Sequence, residues 1–278
     1  MLYVGALLDR APGRKYLGAL RFAELSLRAP LPRPGTLNAM RAALPADFAL
    51  ALRAPRNAVV SARGALRVDA ELEAALAWSL AAADALQARA VLLHTPSELT
   101  PGARSRDLLR EYVARLPRVA GRHYVWAAQG AWEPEEQHAL CEELGLVRAF
   151  DPLETKSSPA KVTYATLRAL GHRAGFSYAA LSDALARTLE HAPEEAFVSV
   201  DADKSFDIAR RLQTLAVEAA GDDENLARAF GAGAGAGAVG AGLDEDDEGQ
   251  DGEDEDLEGD EGDLDEDESD EDDSDEDT

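Results

Sequence analysis

One cysteine, Cys141, occurs in 278 residues. No intrachain disulfide can form, and a reducing cytoplasm is the expected compartment. Aromatic residues make up only 6% of the chain, so a core has to be built mainly from Ala, Leu and Val. No apolar run reaches the ~20 residues that a membrane-spanning helix needs. The Ala-rich stretch from Ala74 to Ala90 is broken by Ser79, Asp84, Gln87 and Arg89. No positively charged leader precedes an apolar segment at the N-terminus. A membrane partner is therefore not expected. Lys and Arg are absent from Asp244–Thr278, which carries twenty-five Asp or Glu. That equals the whole net charge of −25, so residues 1–243 balance to zero.

The composition divides the chain into three parts. Residues 1–220 are expected to form one folded domain, large enough for a sizeable core. Residues 221–243 include Gly231–Gly242, GAGAGAGAVGAG. Alternate glycines cost too much chain entropy for a helix, so this part reads as a flexible tether. Residues 244–278 offer only Leu257 and Leu264 for burial, and repulsion among carboxylates predicts disorder. The tail suits basic proteins as partners, through salt-sensitive attraction. Like-charge repulsion by the tail and the lack of a basic stripe in the body argue against nucleic acid. A calcium-loop spacing from Asp244 to Glu255 is expected by chance in so acidic a run.

Short apolar runs alternate with helical patterns in the body. The strand candidates are Leu2–Leu8, Phe22–Leu27, Phe48–Leu52, Ala90–Leu93, Tyr124–Ala127, Leu146–Phe150, Val162–Leu167 and Phe197–Val200. Several are apolar on both faces, as in parallel strands covered on both sides. Leu72, Leu76, Leu80, Ala83 and Leu86 form a helical stripe with Asp69 as its cap. Other stripes run through Leu108–Leu116, behind Pro134, and along Leu181, Leu185 and Leu189. Asp203 is the expected cap of the last helix. Eight strands with helix-sized connections fit a (β/α)8 TIM-like barrel; an open, doubly wound sheet is the alternative.

In either α/β arrangement chemistry sits at the C-terminal ends of the strands. Polar residues recur there. Glu24 and Arg53 lie on neighbouring strands and can pair, either fixing register or forming part of a polar site. Arg53 and Arg168 could grip a small anionic ligand, phosphorylated or carboxylated, with Asp151 and Asp201 beside them. Glu24 and His94 are the acid–base candidates, with Asp151 to orient His94. His138 and Cys141 share a helix face, but two residues make no metal site. The loop Gly171–Tyr178 could hold a phosphate or be a turn capped by Ser177. No nucleotide or nucleophile-elbow fingerprint is present, so the cofactor is left open.

The order of these segments resembles the YecE-like family, the domain of unknown function 72, over about residues 1–217. Leu2-Tyr-Val-Gly5 is similar to its start. Leu44-Pro-Ala-Asp-Phe-Ala-Leu-Ala-Leu-Arg-Ala-Pro55 is similar to its "P-x-x-F-x-F-x-x-K-x-P" strand. Val91-Leu-Leu-His-Thr-Pro96, Trp132, Leu167-Arg-Ala-Leu-Gly171 and Phe197-Val-Ser-Val-Asp201 follow in the family's order. The resemblance implies a TIM barrel and no settled activity. The departures are many: Ser26, His94, Trp126-Ala-Ala-Gln129, Leu170 and Asp201-Ala202 replace polar family residues. Glu24, Arg53 and Arg168 are what remains. The expectation is a degenerate, non-catalytic interaction or scaffold barrel, with Trp126 and Leu170 filling the mouth; an enzyme acting on a small anion is the alternative.

Overall fold

Eight parallel strands close into a barrel in which the first and last strands of the chain lie side by side. The computed structural model describes residues 1–169 and 175–222. In chain order the elements begin with β1 (Leu2–Leu8), α1 (Arg14–Leu17), β2 (Phe22–Leu25), α2 (Pro34–Ala42) and β3 (Ala49–Arg53). A small hairpin, β4 (Val60–Ser61) and β5 (Gly64–Ala65), precedes α3 (Ala70–Ala85) and β6 (Ala90–Thr95). Then come α4 (Ala103–Val113), β7 (His123–Ala128), α5 (Pro134–Leu144) and β8 (Val147–Phe150). The described part closes with β9 (Val162–Arg168), α6 (Tyr178–Leu189), β10 (Glu195–Asp201) and α7 (Ser205–Asp222). The tether expected from residue 221 lies almost wholly outside the described residues. The acidic tail, Leu170 and the start of the Gly171 loop lie wholly outside them.

All eight expected strands are present, and the sheet is closed rather than open. The helices begin where local chemistry dictates. Asp69 accepts from the Leu72 amide at 2.9 Å, Pro134 opens α5, and Ser177 accepts from the Ala180 amide at 3.1 Å. At α7 the expected cap is corrected. The Ser205 hydroxyl, rather than Asp203, ties down the start of the helix by accepting the Ala202 amide at 2.9 Å. The hairpin and α2 carry no clear signal in the sequence. Gly35, Thr36 and Asn38 give α2 weak helical propensity. Between β8 and β9 the chain turns without a helix.

Strand alternation sorts the core into two layers. Tyr3, Phe22, Ala51, Leu92, Val125, Tyr164 and Phe197 fill the barrel. Tyr3 stacks on Phe197 with ring centroids 4.9 Å apart. The opposite faces, including Val4, Leu52, Val91 and Val198, pack under the helices. Gly5 lets β1 approach β2: a Cβ there would lie 2.1 Å from the Phe22 carbonyl oxygen. The Tyr16 hydroxyl clamps the same place, accepting from the Ala6 amide at 2.8 Å and donating to the Phe22 carbonyl at 2.7 Å.

Trp126 belongs to the outer layer, which corrects the expectation that it fills the mouth. Its neighbours Val125 and Ala127 are on the inward-facing side of β7. The indole donates to the Thr95 hydroxyl at 2.9 Å and meets Trp132 edge-on at 5.0 Å.

Candidate functional site

Above the aromatic layer the barrel interior turns polar. Glu24 follows Phe22 by one alternation on β2, and its side chain is fully buried. Arg53 on β3 donates from Nε to Glu24 Oε1 at 2.7 Å. Tyr164 on β9 donates its hydroxyl to Glu24 Oε2 at 2.8 Å. The second carboxylate on Arg53 is Asp201, at the end of β10, 3.3 Å from the guanidinium. Burial alone would lower the Arg53 guanidinium, but Glu24 and then Asp201 hold it above its ordinary value. One cation thus serves two carboxylates.

His94 is the next inward position after Leu92 on β6. Burial, reinforced by Arg53 and Arg168, pushes its imidazole down to about 3. Its Nε2 is buried without a hydrogen-bond partner. The same is true of the hydroxyls of Thr166 and Ser199, the latter beside the Tyr164 phenol. These two residues are register partners on β9 and β10, and Arg168 and Asp201 are the next inward pair above them. Buried polar groups are normally paired, so three orphans in one barrel end call for a reason.

Asp151 does not orient His94. Its carboxylate accepts the Leu153 amide at 2.9 Å and the Arg168 amide at 3.3 Å, which fixes the turn after β8 against β9. Burial raises its carboxyl above the usual range despite these amides. Tyr164, Thr166 and Ser199 are positions of this polar barrel end that sequence reasoning misses. The signal is there: they precede Arg168 and Asp201 by even steps on the same strands.

Two groups lie elsewhere. His138 is 3.7 Å from Glu142 on the same helix. Cys141 is buried, and burial pushes its thiol up to about 12. Among the described residues no group of three or more His, Cys, Asp or Glu side chains is placed to hold a metal ion. No described helix is long and apolar enough to cross a membrane.

No family model matches the sequence, and no curated protein is similar to it in sequence. Solved structures do match. A DUF72 family protein of Thermotoga maritima MSB8 superposes with a TM-score of 0.56 at 15% identity, over 77% of this chain and 97% of that one. A DUF72 family protein of Enterococcus faecalis V583 gives 0.58 at 12%, over 77% and 95%. This chain has the DUF72 fold. The family that the segment order resembles in sequence is the one whose solved structures match in fold. At such identities the likeness is one of fold alone. SacUVDE matches with a TM-score of 0.54 at 12% identity, over 74% of this chain and 83% of that one.

The expectation that nucleic acid is excluded is corrected here. The barrels similar to this one include SacUVDE, at a TM-score of 0.54. The fold therefore gives no ground for the exclusion. The tail's share of the charge argument also reaches too far, since screening limits such repulsion to about 10 Å.

Proposed function

We propose that this chain is a divergent DUF72 (YecE-like) protein whose barrel mouth binds a small ligand carrying an anionic group, without acid–base catalysis. The observation that carries this reading is the set of three buried, unpartnered polar atoms, on His94, Thr166 and Ser199. Each such atom costs about 1–3 kcal/mol when left unpaired. A barrel retained only as a scaffold gains nothing from that cost; a ligand that hydrogen-bonds to them recovers it.

Arg168 is the charged contact in this reading. The charge of Arg53 is set against Glu24 and Asp201. Among the described residues no carboxylate lies within 4.0 Å of the Arg168 guanidinium. Catalysis by the two sequence candidates is not favoured. Glu24 is fully buried with one structural donor on each oxygen, which ties it to the frame of the barrel rather than to a substrate. His94 is neutral at ordinary pH and has no general-acid proton to give as an imidazolium.

Thermal-shift measurement of the full chain against phosphate, sugar phosphates and small organic acids tests the proposal. A rise in melting temperature that disappears in Arg168→Ala is expected. An equal rise in Arg168→Ala removes the role given to Arg168, and no rise across the panel removes the binding reading.

A further inference from the structure

Beside the mouth, between the C-terminal ends of β7, β8 and β9, lies a cleft of about 250 Å³. Thr166, Arg168, Asp151, Glu154, Arg148 and Gln137 line it. Two arginines and two acidic residues therefore line one small volume. Among the described residues none of these four charges lies within 4.0 Å of an opposite one. Arg148 is buried, its guanidinium over the Phe150 ring and one amine on the Lys156 carbonyl. Thr166 is 4% exposed, and its hydroxyl has no partner.

A ligand of one sign fits this arrangement poorly. An anion drawn to Arg168 would also meet Asp151 and Glu154, and a cation drawn to those would meet both arginines. At equal distance a like charge costs as much as the opposite charge returns. A ligand with both signs pairs with both. The volume holds roughly eight water-sized groups, taking ~30 Å³ for each.

We infer that the cleft binds a zwitterion of small α-amino-acid size, its carboxylate on Arg168, its ammonium on Asp151 and Glu154, and the Thr166 hydroxyl between them. This rests on the binding reading above and adds the second charge. The anionic group is the one that reading assigns to Arg168; the ammonium is new.

The test uses the full chain at neutral pH with L-alanine, L-serine and L-glutamine. Acetate and phosphate serve as anion-only probes, and ethanolamine as a cation-only probe. The amino acids are expected to raise the melting temperature and to give calorimetric binding at least tenfold tighter than that of acetate or phosphate; ethanolamine is expected to give neither. Asp151→Asn and Arg168→Gln should each weaken amino-acid binding at least tenfold. Because Asp151 also holds a turn, Glu154→Gln provides a second acidic variant, also expected to weaken binding. Acetate or phosphate binding as tightly as the amino acids, with no effect of Asp151→Asn or Glu154→Gln, overturns the zwitterion and leaves the anion reading standing. Silence from every probe overturns both.

Discussion

Tyr164 reaches across the barrel to donate a 2.8 Å hydrogen bond to Glu24, a residue 140 positions earlier on a strand that β9 does not touch. With Arg53 on the other oxygen, this carboxylate ties β2, β3 and β9 together through the barrel interior. Burial, followed by the Glu24 charge, keeps the Tyr164 phenol well above its ordinary pKa, so it remains a donor.

That geometry sets the cost of breaking the pair. Arg53→Met leaves a fully buried Glu24 carboxylate with the Tyr164 phenol alone. A loss of about 3–5 kcal/mol in urea denaturation is expected. Glu24→Leu combined with Arg53→Met should lose less than the sum of the two single changes, since no buried charge is stranded. Simple additivity would show that the two side chains are energetically independent.

His94 gives the fold a pH dependence of known sign. Its folded pKa, about 3, lies below the ordinary 6.5. Between those values the unfolded chain binds the proton and the folded chain does not. The contribution of His94 is therefore fully present above about pH 6.5 and falls away as pH drops towards 3. His94→Gln should flatten the stability profile across that window. An imidazole titration near 6.5 in the folded protein, followed by NMR, would refute the buried neutral state.

Gly5 is a steric requirement. Gly5→Ala sets a methyl group 2.1 Å from the Phe22 carbonyl oxygen, in a contact with backbone rather than with a movable side chain. β1 would have to separate from β2 where Tyr16 bridges them. A destabilisation of about 3 kcal/mol or more, at the upper end of overpacking costs, is expected from equilibrium unfolding. A wild-type midpoint in Gly5→Ala would mean that the strands are not so closely apposed.

The fold is largely legible in the sequence for a simple reason. Parallel strands buried on both sides read as continuous apolar runs, and Phe48-Ala-Leu-Ala-Leu52 is one of them. The same property hides the direction of Trp126. Where both faces are apolar, alternation carries no inside–outside signal, and the large indole reads as a mouth residue although it packs outside. The polar end is legible where charge marks it, at Glu24, Arg53, Arg168 and Asp201. Thr166 and Ser199 escape notice because β-branched and small hydroxyl residues are ordinary in strands. Asp151 reads as belonging to the right region but not as a turn anchor, since sequence does not show that each of its carboxylate oxygens accepts a backbone amide.

The central claim is that the buried hydroxyls at the mouth serve a ligand rather than the fold. The most direct measurement is the melting temperature of ligand-free Thr166→Val/Ser199→Ala by calorimetry. Removing two unpaired polar atoms while keeping most of the shape should leave the melting temperature at or above that of the unaltered chain, and should abolish stabilisation by the anionic probe. A melting temperature several degrees lower, with stabilisation by the probe intact, would contradict the account.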